Sequence, residues 1–165
     1  MSALKAAVIT LSDKGYRGER EDKSGPLIVE MLKEAGYEVA ETLLLPDGVQ
    51  PLQDELIRLA DESQMDLVLT TGGTGFAPTD VTPEATMAVM TRNAPGIAEA
   101  MRAYSLSITP RAMLSRAASV IRGETLIVNL PGSPKAVKES LEYILPSLEH
   151  GLKLLKGQDG ECARK

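Results

Sequence analysis

The chain has 165 residues, enough for one domain (residues 1–165) with a proper core, and a formal net charge of −5. That acidic balance argues against nonspecific nucleic-acid binding, which needs a basic footprint. With one Phe, four Tyr and no Trp the core must be aliphatic, and the single cysteine, Cys162, rules out an intramolecular disulfide. Neither a signal peptide nor a long apolar span stands out, so a cytoplasmic protein without a membrane partner is expected. Cys162 lies in a polar tail and the lone His150 in a helical segment, so neither is expected to act as nucleophile or base.

Residues 3–11 (ALKAAVITL) read as a first buried strand, followed by a polar loop that begins at Ser12-Asp13. Ser24-Gly25-Pro26 starts a helix with Ser24 as its cap, apolar residues at helical spacing from Leu27 to Ala35, and Gly36 as its stop. Residues 37–45 form a second strand, which Pro46-Asp47-Gly48 terminates. A second amphipathic helix is marked by Leu52, Leu56, Ile57, Leu59 and Ala60. A short apolar run at Leu67, Val68 and Leu69 ends in two threonines and reads as a third strand.

Gly72, Gly73 and Gly75 follow, with Thr74 between them, and glycines there let a backbone curl around a ligand and aim N–H groups at it. Thr82-Pro83-Glu84 reads as a helix start with Thr82 as N-cap and Pro83 in the first helical position. Strand, glycine turn and helix N-terminus together make a phosphate-handling arrangement. The loop fits neither G-x-x-x-x-G-K-[ST] nor G-x-G-x-x-G, because no lysine follows and Pro78 stands where the third glycine belongs.

The helix continues through residues 85–90, Pro95-Gly96 breaks it, and a further helical segment runs through Ile97 and Tyr104. Residues 105–116 are polar and irregular. Residues 118–121 and 125–129 read as two strands joined tightly through Gly123. Leu130-Pro131-Gly132-Ser133-Pro134 is a second glycine-containing loop after a strand, with Ser133 capping a closing amphipathic helix that contains Pro146.

Alternating strands and helices imply an α/β fold, a mostly parallel sheet with helices on both faces. Both glycine loops and the Pro46-Asp47 turn then lie at the sheet's carboxyl edge. Alone, Asp47 reads as a turn residue; the convergence makes Asp47 and Asp80 a candidate acidic pair.

TTGGTG with DVTPEAT over residues 70–86, MLSR over 113–116 and NLPGSPKA over 129–136 resemble the molybdopterin adenylyltransferases of molybdenum cofactor biosynthesis. Ser12-Asp13, Gly18, Asp22 and Ser24-Gly25 are spaced as in that family. The resemblance implies a three-layer α/β/α sandwich that assembles as a homotrimer. It implies transfer of AMP from ATP to molybdopterin with Mg²⁺ and release of pyrophosphate, with a molybdenum insertase as a downstream partner. Asp47 and Asp80 match the family's catalytic and metal-holding aspartates. Gly72, Gly73, Thr74 and Gly75 match its phosphate loop. Ser12, Asn129, Pro131, Gly132 and Ser133 match its nucleotide side, and Ser105, Ser115 and Arg116 match its pterin side. Many members carry a basic residue just before the Asp of DVTPEA; this chain has Pro78-Thr79, leaving Lys135 or Arg116 to compensate. A carrier that binds molybdopterin without chemistry is the rival reading, against which the two carboxylates speak, since a pure binder of an anion has little use for them.

Overall fold

A computed structural model describes residues 2–158, so Cys162 lies outside the described residues. Six strands form one sheet: β1 (Lys5–Leu11), β2 (Glu38–Leu45), β3 (Leu67–Thr71), β4 (Arg92–Asn93), β5 (Ser119–Arg122) and β6 (Thr125–Leu130), in the order β2-β1-β3-β6-β5-β4. Strands β2, β1, β3 and β6 are parallel, whereas β5 runs antiparallel to β6 and β4 antiparallel to β5. The parallel register pairs Leu11 with Leu45, Thr10 with Thr71 and Thr71 with Leu130, so four strands end at nearly one level.

Alternation along the central strands divides the core into two layers, as the period of two dictates. One face presents Ala6, Val8, Leu67, Leu69, Leu126 and Val128 to the helices α2 (Ser24–Glu34), α5 (Pro95–Leu106) and α6 (Pro134–Leu155). The other presents Ala7, Ile9, Val68, Val120 and Ile127 to α3 (Val49–Ile57) and α4 (Thr82–Ala88). The result is the three-layer α/β/α sandwich. Strand β3 is buried at all five positions, as a parallel strand covered on both sides requires. A one-turn helix, α1 (Asp13–Tyr16), follows β1, with Ser12 accepting from the Gly15 amide at 3.0 Å. Among the described residues no helix is long and apolar enough to cross a membrane.

Several local expectations change. Ser24 does not cap α2: its hydroxyl donates to the carbonyl of Gly132 at 2.7 Å, and Asp22 instead accepts the Gly25 amide at 3.0 Å. Thr82 does not cap α4 either, because its hydroxyl donates to the Gly72 carbonyl at 3.0 Å. In both cases a long-range acceptor competes successfully with the local amide. Strand β4, two exposed residues, is too short for a period-two pattern and is absent from the sequence reading. The second predicted helix changes to π geometry over Arg58–Glu62, where Arg58 is held by Glu41 at 2.9 Å and by Glu55 at 2.7 Å. Ser133 does cap α6, accepting from the Ala136 amide at 3.3 Å.

Asn129, matched to the nucleotide side by resemblance, sits fully buried inside the sandwich. Its position on β6 places it on the α4 face, one layer below the loops. Its amide nitrogen donates to the hydroxyls of Thr70 at 3.0 Å and Thr86 at 2.9 Å, and its oxygen accepts from the Ala118 amide at 3.1 Å. One side chain thus pins β3, α4 and the entry to β5 together. Asn129→Ala leaves two buried hydroxyls and the half-buried Ala118 amide without their partner and is expected to destabilise the protein by about 2–4 kcal/mol. Urea unfolding at constant m-value measures it; a loss below about 1 kcal/mol would show that water replaces the amide.

Candidate active site

Because the four parallel strands end level, the loops after β1, β2, β3 and β6 emerge side by side, at the strands' carboxyl ends where open α/β sheets bind ligands. They enclose a cleft of about 650 Å³. Ser12 and Gly15 line it from the first loop, Asp47 from the second, Gly72, Gly73 and Asp80 from the third, and Gly132 and Ser133 from the fourth.

The third loop takes its shape from two glycines. Gly73 has φ +71°, and a Cβ there would run into the Thr82 hydroxyl that anchors α4 to the loop. A Cβ on Gly75 would come within 2.9 Å of an Asp80 carboxylate oxygen. The Asp80 carboxylate accepts from the Ala77 amide at 3.0 Å, which folds the 75–80 segment back beside the glycines. Among the described residues, the backbone amides of Gly73, Gly132 and Ser133 donate to no protein acceptor. Unfilled N–H groups on two adjacent glycine loops, the second leading into a 22-residue helix, are suited to an anion.

Asp47 and Asp13 tie the first two loops together. The Asp47 amide donates to the Asp13 carboxylate at 2.9 Å, and the Asp13 amide donates to the Asp47 carboxylate at 3.3 Å. Some carboxylates elsewhere have cationic partners: Asp61 pairs with Arg122 at 2.8 Å and Asp66 with Lys156 at 3.0 Å. Among the described residues no Lys or Arg pairs with Asp47 or Asp80. Burial pushes the Asp47 carboxyl above the ordinary carboxylate range; the hydrogen bond from the Asp13 amide opposes this, and the charges of Asp13 and Asp80 add to it. Carboxylates without an ion-pair partner beside open amides could hold a ligand that brings both a cation and phosphate.

The candidate residues do not all meet in this cleft. Asp47, Asp80, Gly72, Gly73, Ser12, Gly132 and Ser133 are brought together. Ser105, Ser115 and Pro131 line a second cavity of about 230 Å³ between α5, the 3₁₀ turn Pro110–Leu114 and the start of α6, with Arg102 and Arg111 beside them. Pro131 and Gly132 are consecutive, so the fourth loop separates the two cavities. Thr74 is buried, its carbonyl accepting from the Arg116 amide at 2.9 Å. Arg116, expected on the pterin side or as a substitute phosphate cation, is held by the protein: its nitrogens bond Gly75 and Asp80 carbonyls and the Glu84 carboxylate. Lys135 is exposed. Thr10, Asp22 and Ser24 also line the cleft without having been singled out for it. Asp22 accepts from Thr10 at 2.8 Å, and an Asp three residues before Gly25 was the available signal, hidden by the competing serine.

Residues 7–150 match the family described as "Probable molybdopterin binding domain". The chain is 46% identical over 147 residues to the molybdopterin adenylyltransferase of Escherichia coli, covering 87% of this chain and 75% of that one. With the molybdopterin adenylyltransferase of Helicobacter pylori the identity is 41% over 159 residues, covering 95% and 90%. The crystal structure of the molybdopterin biosynthesis enzyme MoaB from Thermus thermophilus superposes with a TM-score of 0.89 at 47% identity, covering 96% of this chain and 99% of that one.

The raised Asp47 carboxyl has a thermodynamic consequence. A carboxylate whose folded pKa lies above its unfolded value destabilises the fold at pH values above the folded pKa, and the penalty vanishes as both states protonate on acidification. Asp47→Asn keeps an acceptor for the Asp13 amide and removes the charge. It should raise Tm at pH 7, an advantage that shrinks toward pH 4. Differential scanning calorimetry across that range decides it: a fall in Tm at neutral pH would make Asp47 a structural cap. The level strand ends, the two glycine loops and the match over residues 7–150 agree, and the chain belongs to the molybdopterin-binding domain family of molybdenum cofactor biosynthesis.

Proposed function

We propose that this protein is a molybdopterin adenylyltransferase, which moves AMP from ATP to the terminal phosphate of molybdopterin and releases pyrophosphate. The observation that supports it most is the meeting, in one cleft, of open backbone amides on Gly73, Gly132 and Ser133 with the carboxylates of Asp47 and Asp80, neither of which forms an ion pair among the described residues. The names of relatives at 41% and 46% identity point to the same reaction.

In this reading the triphosphate lies along the two glycine loops, and the second cavity beyond Pro131 takes the pterin, so that the two reactants flank the fourth loop. A molybdopterin phosphate oxygen attacks the α-phosphorus, the bond to the pyrophosphate oxygen breaks, and no side-chain nucleophile is required. Such transfers depend on alignment and charge stabilisation. Among the described residues no three His, Cys, Asp or Glu side chains cluster as a metal cage. That suits Mg²⁺, which binds through one or two carboxylates and completes its shell with substrate phosphates and water. Asp47 and Asp80 would hold it, and it would supply neutralisation of the charge on the departing pyrophosphate. A homotrimer belongs to the same proposal; Met87 and Met90 leave apolar surface exposed around the end of α4. The adenylylated product would pass to a molybdenum insertase, in the cytoplasm.

Asp80→Asn keeps shape and removes charge. It should leave molybdopterin affinity unchanged while single-turnover AMP transfer falls on the order of a hundredfold, the scale of losing one placed electrostatic group. EDTA should stop transfer by the unaltered protein. Formation of ADP and phosphate in place of pyrophosphate would refute attack at the α-phosphate. Light scattering at micromolar concentration should give three times the chain mass of 17.6 kDa, and a persistent monomer would refute the trimer.

A further inference from the structure

Arg116 follows the 3₁₀ turn and lies 36 residues after Asp80 in sequence, yet it grips both ends of the loop that carries Asp80. Its backbone amide donates to the Thr74 carbonyl at 2.9 Å. Its Nε donates to the Gly75 carbonyl at 2.8 Å, and one Nη donates to the Asp80 carbonyl at 2.6 Å. The other Nη donates to both Glu84 oxygens at 2.9 Å, in the first turn of α4. Each side-chain nitrogen is engaged, and the planar fork meets two carbonyls and a carboxylate in three directions, which an ammonium on a flexible stem does only in part.

Between these anchors the segment has little else to hold it. Phe76 is 70% exposed, residues 77–79 are exposed, and the reciprocal bonds between Ala77 and Asp80 are internal to the loop. On the other side Thr82 fixes only the end of the loop, through Gly72 and Gly73. The position of the Asp80 carboxylate relative to Asp47 and the glycine amides therefore depends on Arg116.

We infer that Arg116 is a positioning residue: it clamps the 75–80 segment so that Asp80 stands in the cleft, and it does not itself touch substrate. The kinetic consequence rests on the AMP-transfer reading; the clamp itself does not. A misplacement of about 1 Å in a group of this kind can cost on the order of a hundredfold in rate.

The test uses Arg116→Met and Arg116→Lys in the full chain. Amide exchange at Ala77 and Asp80 should accelerate at least about tenfold in Arg116→Met, local opening that leaves the rest of the fold in place. Single-turnover AMP transfer should fall between about tenfold and a hundredfold, with KM for ATP and molybdopterin within about threefold, and Arg116→Lys should recover part of the loss. On an Asp80→Asn background Arg116→Met should add no further loss, because the clamp acts through Asp80. Three results would overturn the inference: unchanged exchange, a KM rise of about tenfold at unaltered kcat, or the same fold-loss with and without Asp80. If Arg116→Met fails to fold, Arg116→Lys carries the same readouts, with exchange at Ala77 and Asp80 deciding. If the unaltered protein transfers no AMP, the enzymatic reading falls, and exchange alone then upholds or overturns the clamp.

Discussion

The structure depends on the register of its four parallel strands. Parallel pairing forces each strand to return through a crossover, so every outgoing loop leaves from the same edge. Here the pairs Leu11–Leu45, Thr10–Thr71 and Thr71–Leu130 bring those exits to one level. Loops that start about 35 to 60 residues apart in sequence become neighbours, as the Asp13–Asp47 and Thr71–Pro131 hydrogen bonds demonstrate. The antiparallel β5–β6 hairpin preserves this direction, since it sends β6 back through the sheet parallel to β3 and ends it beside the glycine loop.

Buried polar side chains maintain that register from below. Asn129 fastens β3 to α4, Thr125 donates to the Met65 carbonyl, and Ser119 joins the start of α5 to β5. An aliphatic core of Ile, Leu and Val fills space well but specifies alignment weakly, because one aliphatic contact resembles another. Hydrogen-bonded groups in the interior tolerate no such substitution, since each unpaired partner is penalised. The rigid sheet edge is what permits loops rich in glycine to hold a defined shape.

Above that edge the acids are crowded. Asp61, Asp66 and Glu84 each meet an arginine or lysine, whereas burial, together with the charges of Asp13 and Asp80, pushes the Asp47 carboxyl upward. Like charges held close weaken the free protein, and folds accept such strain where a ligand relieves it. Glu84 shows the contrast at the start of α4: it pairs directly with Arg116, while Asp80, four residues earlier, feels the Arg116 charge without forming an ion pair.

The order of the longer elements, the α/β/α class and the glycine loops were legible in the sequence, because hydrophobic period, Gly and Pro act locally and leave a pattern over a few residues; the short β4 and the one-turn helices were not. Ser133 as a cap and the tight turn at Gly123 were legible for the same reason. Asp47 alone reads as a turn residue, and only the placement of strand ends brings it to Asp80. Ser24 and Thr82 have the composition of helix caps, but Gly132 and Gly72 present carbonyls that no neighbouring sequence reveals. Asn129 and Arg116 resemble site residues in a motif, yet their polar atoms are satisfied by groups as many as 59 and 41 positions away, so the first became a core pin and the second a loop clamp. Local propensity is written in the sequence; which donor wins which acceptor across the fold is decided by the tertiary structure, since that competition depends on distance in space.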